Sequence, residues 1–530
     1  MKRLYAAIAA LMSLMLASCV SLDGGTSGSS GSGSGSGSGK PADLTIVAAT
    51  ELKDLEGLVD QAAKDLGFSI DMQFPGGTLD NSQTLKRGDF DGKVDATWFA
   101  TNRYVNLIGA TDKLDGETKI ATSPIAFGVW EDSAKRLGWD VKQPTWAEFA
   151  EAAEAGEFSF GMTNPQASNS GFSALVAVAT ALADTGDAIA PADLERVGPR
   201  LEQLFQAQTM VSGSSGWLAE AFADDPEGAD AIVNYESTLH QMRQQGQPIE
   251  VVVPADGVIS ADYPLSALAQ PANTDARERV EKLANWLLEH QPDIADTFRR
   301  PVTQVDNLPA EIADQQVIEL PFPANEGVVN ELLYAYDNSY RQPGTTTFVL
   351  DTSGSMEGQR IASLKDIMHS LIDGSASTLT GDVSLRDREN VTLQSFDSRP
   401  NDPVTARFSH EDSAAAAELT KYVDGLSASG STAMYQTLLE ALRGTDPAGG
   451  IPSIVLLSDG QDTVGPRFSK FKEEYEQLPA AQRSVPVFVI LYGDASESEM
   501  RELAELTGGE VFDALSGDLA AAFKEIRGFQ

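Results

Sequence analysis

The chain has 530 residues, of which 42% are apolar, and a formal net charge of −40. That length accommodates about three to four domains of usual size. So large an acidic excess excludes a phosphate-binding surface for nucleic acid and opposes adsorption to anionic headgroups. It fits a soluble exterior, with room for cations near the surface.

The N-terminus reads as a processing signal. Lys2 and Arg3 precede an apolar run, Leu4 to Leu16, that is too short to span a bilayer. Leu16-Ala17-Ser18-Cys19 then resembles a bacterial lipobox, which implies removal of residues 1–18 and acylation (palmitate or a similar chain) at Cys19. Cys19 is the single cysteine, so no intramolecular disulfide can form. A conventional secretory leader with an incidental cysteine is the alternative. Residues 19–39 continue into a Gly/Ser tract with nothing to bury, whose reach is roughly 22 Å for about 16 residues. The expected location is the extracytoplasmic face of the cell membrane, with the lipid as the sole attachment.

From residue 40 to about 335, short apolar runs alternate with helical patterns. Leu44 to Ala49 predicts a strand, Leu52 to Leu66 an amphipathic helix and Ser69 to Phe74 a second strand. Such alternation implies an α/β domain with mostly parallel strands. The runs Thr122–Trp130 and Glu250–Pro254 read as connections between lobes. In order along the chain, Thr122-Ser123-Pro124-Ile125-Ala126, Pro144 to Phe149, Asn164 to Gly171, Ile232 to Glu236 and Asp262-Tyr263-Pro264-Leu265 resemble the two-lobed extracellular solute-binding proteins. The resemblance implies one lobe of residues 40–122 plus 255–320 and a second of 123–254.

A ligand cleft is expected where helices start after strands, because free backbone N–H groups there favour oxyanions. The candidates are Ser168, Asn169 and Ser170 before the apolar helix from Phe172, Thr50 and Glu51 after the first strand, Gly76, Gly77 and Thr78 after the second, and Tyr235 at a strand end. Ordinary helix capping explains the same Ser and Asn residues. Trp98 is a further candidate for the cleft mouth, or a core residue. No arginine cluster marks a strongly charged anion, so the solute is left as small and polar or anionic.

Gln342-Pro343-Gly344 breaks both helix and strand, and each side carries its own α/β pattern, so the chain is expected to divide there into two separately folding parts. Beyond it, Thr346 to Leu350 predicts a buried strand running into Asp351-Thr352-Ser353-Gly354-Ser355, a carboxylate and two hydroxyls at alternate positions. Gly430-Ser431-Thr432 adds a hydroxyl in a small-residue loop, and Ser453 to Ser458 is a second buried strand that ends on Asp459. Oxygen donors without His or Cys suit Mg²⁺. Over roughly residues 343–530 the pattern resembles the von Willebrand factor A domain, a doubly wound Rossmann-like fold, and its metal-ion-dependent adhesion site. The resemblance implies a Mg²⁺ (or Mn²⁺ or Ca²⁺) held directly by Ser353, Ser355 and Thr432, with Asp351 and Asp459 acting mostly through water. It also implies completion of the site by a carboxylate from a protein partner.

Catalytic signals are missing from the sequence. His240, His290, His369 and His410 are scattered, and neither a phosphate-binding Gly-rich loop nor a Gly-x-Ser-x-Gly elbow occurs. The expectation is a binding or adhesion protein rather than an enzyme. The alternatives are the receptor of an ABC-type importer with an accessory domain, and a hydrolase with an unrecognised carboxylate pair.

Overall fold

Alternation of apolar residues along strands sorts this chain into sheets covered on both faces. A computed structural model describes residues 42–313, 316–378, 381–446, 449–460, 462–492, 497–513, 522–523 and 526–527. The leader, Cys19 and the Gly/Ser tract lie outside the described residues. Residues 42–530 form one compact unit.

The first part begins with β1 (Leu44–Ala48), β2 (Ile70–Gln73), β3 (Ala96–Trp98) and β4 (Leu114–Lys119). The chain then runs through β5 (Ala121–Trp130), β6 (Phe160–Thr163), β7 (Gln208–Ser212), β8 (Ala231–Tyr235), β9 (Ile249–Val252) and β10 (Ser260–Ala261). It returns with β11 (Pro264–Leu268) and β12 (Arg300–Pro301). Hydrogen bonding divides these strands into two sheets, one ordered β2-β1-β3-β11-β4 and the other β10-β5-β8-β6-β7, with β9 and β12 also paired to β5. In each sheet a parallel core is closed by an antiparallel return, β11 against β3 in one and β5 against β8 in the other.

Three local differences from the sequence reading have physical causes. The stretch after β1 is a 3₁₀ turn, Thr50–Leu55, before the helix Glu56–Leu66, so the single helix predicted from Leu52 is split. The run from Glu250 is an edge strand of the second sheet, paired with Phe127–Trp130, and the crossing back to lobe one falls between β10 and β11. A short β-branched run before proline fits a strand or a hinge equally, and only the free edge of β5 decides. Finally, the π turn Tyr336–Tyr340, which continues the helix Glu326–Ala335, packs on the second lobe. Tyr336 meets Phe205 edge-on at 5.1 Å, and its hydroxyl donates to Gln208 Oε1 at 2.8 Å.

The second part holds β13 (Gly344–Asp351), a hairpin of β14 (Ser377–Thr378) and β15 (Gly381–Asp382), then β16 (Asn390–Phe396), β17 (Val404–Arg407), β18 (Ile451–Ser458), β19 (Val487–Leu491) and β20 (Val511–Asp513). Its main sheet is ordered β17-β16-β13-β18-β19-β20, parallel except for β17. The period of two along each strand builds two cores. Phe348, Leu350, Val455, Leu457, Phe488 and Ile490 face one side, against Leu364, Met368 and Leu371 of the helix Gln359–Asp373. Val349, Ile454, Leu456, Val487 and Val489 face the other, with Leu438 and Leu442 of the helix Met434–Gly444. This is the doubly wound arrangement, and it places all parallel strand ends along one edge.

Candidate functional site

β13 and β18 are parallel neighbours with Leu350 opposite Leu457, so their C-terminal residues emerge side by side. Ser458 Oγ donates to Asp351 Oδ2 at 2.5 Å, and the Ser353 N–H donates to Asp351 Oδ1 at 2.8 Å. That turn brings Ser353 Oγ to 3.0 Å from Ser355 Oγ. The second loop is tied to the first by Gly354 N–H to Gly430 O (3.1 Å) and Ser429 N–H to Thr352 O (2.8 Å). Gly430 has φ +77°, a conformation that favours glycine. The third loop is tied to the second by Thr432 N–H to Thr463 Oγ1 (2.8 Å) and Thr463 N–H to Thr432 O (2.9 Å).

The structure therefore gathers Asp351, Ser353, Ser355, Thr432 and Asp459 at one sheet edge. Four of them are buried, and Ser355 is exposed. Among the described residues no group of three or more His, Cys, Asp or Glu side chains is arranged for a metal, so a cation here has to rely on hydroxyls as well as carboxylates. Burial pushes the Asp351 carboxyl up from its ordinary value, and the Asp459 charge adds to this against hydrogen bonds from Ser353 and Ser458. Asp459 Oδ1 is buried without a partner, while Asp459 Oδ2 pairs with Arg360 at 2.9 Å. Arg360 also donates to Ser355 O at 3.0 Å.

Arg360 and Asp462 are members of this edge that the sequence motif does not contain. Asp462 Oδ1 accepts the Met434 N–H at 2.8 Å, and burial pushes its carboxyl up to about 6 with help from Glu499 and Asp351. Arg360 opens a helix that reads only as amphipathic, so nothing local marks it.

The cleft candidates divide into three groups. Gly77 of lobe one lies against Ala167 of lobe two, where a Cβ would stand 2.5 Å from Ala167 O, so glycine permits the lobes to touch. Thr78 beside it is buried and accepts the Ala100 N–H through Oγ1 at 3.1 Å. Ser168 and Ser170 join a hydroxyl chain inside lobe two, with Ser170 Oγ at 2.9 Å from Thr163 Oγ1, 3.2 Å from Ser168 Oγ and 2.7 Å from Ser215 Oγ. One O–H and two lone pairs are then all used, and Ser170 keeps no capacity for a solute. Trp98 is core, with Nε1 donating to Tyr263 O at 3.1 Å.

The third group faces between the lobes. Asn169 Nδ2 donates to the Tyr235 hydroxyl at 3.0 Å, and that hydroxyl lies against Glu51 of lobe one. Thr50 is half-buried at the start of the turn, and Glu51 rather than Thr50 meets the other lobe. The sequence offers Thr50 and Glu51 as a pair, and Glu51 is the one that stands against Tyr235. Arg299, fully buried, braces this corner from behind. Its fork donates to Asp54 at 2.7 and 2.9 Å and to Glu51 O at 2.7 Å.

Comparison with known proteins agrees with both halves. Residues 38–315 match the model of the bacterial extracellular solute-binding protein family, and residues 346–512 match the von Willebrand factor type A domain. Inter-alpha-trypsin inhibitor heavy chain H4 of Homo sapiens is 28% identical over 140 residues, 25% of this chain and 14% of that protein. The Bos taurus counterpart is also 28% identical over 140 residues. The chain thus spans about 14% of the length of these curated relatives. Among solved structures, the periplasmic binding protein AfuA of Actinobacillus pleuropneumoniae is 12% identical, with a TM-score of 0.46, over 56% of this chain and 98% of that one. The sulfate-binding protein SubI of Mycobacterium tuberculosis is 19% identical, with a TM-score of 0.42, over 54% of this chain and 98% of that one. The chain belongs to the bacterial extracellular solute-binding protein family, and it carries a von Willebrand factor type A domain after its two lobes.

Proposed function

We propose that this is a lipid-anchored extracytoplasmic binding protein that captures a small solute between its lobes and holds a protein partner through a divalent cation on its C-terminal domain. The observation that carries the reading is the convergence of three hydroxyls and two carboxylates on one strand edge, with Asp459 Oδ1 buried and unpartnered. Short oxygen donors fit Mg²⁺ or Mn²⁺, and Ca²⁺ less tightly, given their small number. Ser353, Ser355 and Thr432 would hold the ion directly, with Asp351 and Asp459 behind them. Two acidic charges leave such an ion able to accept a carboxylate from the partner. The chain's own contribution is the order of the loops. Ser458 fixes the Asp351 carboxylate, Thr463 fixes the backbone of Thr432, and Gly354 and Gly430 permit close approach of the loops.

The family membership supports an extracytoplasmic place and a binding rather than catalytic role. Among the described residues no helix is long and apolar enough to cross a membrane. The lipid at Cys19 is tested by detergent partition. Cys19→Ser is expected to move the protein to the aqueous phase, and retention in detergent contradicts the anchor.

Calorimetric titration with Mg²⁺ or Mn²⁺ tests the metal site. The wild-type chain is expected to bind one ion, and the Asp351→Ala/Asp459→Ala double variant none. Equal binding by both removes the metal assignment, and with it the adhesion reading. The solute reading is tested separately by ligand-induced stabilisation, which at about 100 times Kd amounts to ~2.7 kcal/mol.

A further inference from the structure

The interlobe corner around Glu51 has an imbalance of donors and acceptors. Asn169 is 3% exposed and donates through Nδ2 to Tyr235 and Ser173, while its Oδ1 has no partner. The Tyr235 hydroxyl accepts from Asn169, which directs its own proton to Glu51. Glu51 Oε1 is nevertheless buried without a partner. Two acceptors, one a carboxylate oxygen, thus sit on either side of one buried hydroxyl, one from each lobe.

Most guanidinium donors at this corner are already committed. Arg299 is held by Asp54, Thr297 and the Glu51 carbonyl. Arg300 forms a two-pronged pair with Glu236 at 2.8 Å on both prongs. An oxyanion entering here would meet the Glu51 carboxylate, and of the Arg299 guanidinium only the buried Nε is without a partner.

We propose that the cleft takes a small solute bearing a protonated amine, with Glu51 as the charged anchor and the Asn169 carbonyl as the second acceptor. An ammonium supplies three donors and one positive charge, matching both unpartnered oxygens at once. The ring of Tyr235 stands beside the site, while the Tyr263 ring, its centroid 6.3 Å away, already carries the Arg299 guanidinium at 5.3 Å. Burial holds the Glu51 carboxyl above its ordinary value, against the hydrogen bond from Tyr235 and the charge of Arg299. A bound cation reverses that cost. The inference rests on the cleft being a solute site and adds its chemical class.

The test titrates the purified full chain with methylamine, ethanolamine and putrescine, and in parallel with sulfate, phosphate and acetate, by calorimetry and thermal shift. At least one amine is expected to bind and stabilise the protein, and Glu51→Gln is expected to weaken it tenfold or more while the far-UV circular dichroism is unchanged. Asn169→Ala provides a second route should Glu51→Gln fail to fold, and it too is expected to weaken amine binding. Binding of an anion but of no amine overturns the amine class and leaves the cleft as a solute site. Equal amine binding by wild type and the folded variants overturns the anchor assignment. Silence across both classes overturns the amine class together with the solute reading on which it rests.

Discussion

Arg360 brings a cation to the strand edge, where it sits on Asp459. Its guanidinium is partly exposed, so the pair contributes a modest amount, about 0.2–1 kcal/mol. Arg360→Gln removes a competitor for the carboxylate and is expected to strengthen Mg²⁺ binding about two- to fivefold by calorimetry. Weaker binding would mean that Arg360 supports the loop rather than competing for it. His240 gives a second single-residue prediction. It is buried against Phe298, and neither ring nitrogen has a hydrogen-bond partner. Burial, with Arg243 nearby, lowers its pKa from 6.5 to about 4. Below pH ~6.5 the unfolded chain takes up a proton that the folded chain refuses until near pH 4. Stability present above pH ~6.5 is therefore lost as the pH falls through that window, by roughly 3 kcal/mol in all. Denaturant melts at pH 7 and 4.5 should show the loss in wild type and a clearly smaller one in His240→Phe. Equal losses would move the acid sensitivity elsewhere.

Two helices show how little sequence fixes a helix end and how much the end matters. Thr145 caps the helix Trp146–Glu154 with a reciprocal box, its side chain accepting from the Glu148 N–H while the Glu148 carboxylate accepts from the Thr145 N–H. Thr145→Ala is expected to cost about 1 kcal/mol in chemical denaturation. Gly171, in the first turn of the helix Asn169–Ala183, packs against the end of β6 so closely that an added Cβ would overlap Thr163 O. Gly171→Ala should cost more than the cap, about 2–3 kcal/mol, because helix and strand must separate. A loss below that of Thr145→Ala would show that the helix can slide. The strand-edge residues were legible in sequence because Asp351 and Asp459 end apolar strands, which parallel pairing of β13 with β18 sets side by side, and Thr432 stands in a small-residue loop. The cleft was legible only as a region. Ser168 and Ser170 looked like ligands, yet they face Thr163 and Ser215 within one lobe, and side-chain direction in the first turn of a helix is not written in its spacing. Glu51 was legible only as the neighbour of Thr50 in the turn after the first strand, since one carboxylate in an acidic chain carries little signal of its own. Val328, Val329 and Leu332 give the helix Glu326–Ala335 an apolar face, but such a face does not specify what covers it.

At the scale of the molecule, the cores stay separate while polar contacts cross the junction. One core ends at Tyr340, and the two that sandwich the C-terminal sheet start with Phe348 and Val349. Between them, Arg388 donates to Asn338 O (2.8 Å) and Arg341 O (2.9 Å), and Asn164 Nδ2 donates to Arg527 O at 2.9 Å. Cleavage at residues 342–344 is expected to give two folded fragments, each with one cooperative melt. The C-terminal fragment should melt a few degrees lower than the same domain in the intact chain, because several polar groups lose partners. Aggregation of both fragments would show that the domains depend on each other to fold. The described hydrogen bonds named across this junction involve lobe two and the turn that packs on it, through Asn164, Asn338 and Arg341. Were the lobes to rotate about a solute, these contacts would couple the C-terminal domain to lobe two and leave lobe one as the half that swings. Seen from a partner gripping the metal edge, solute capture would register as movement of a distant jaw while the surface in its grasp stayed still.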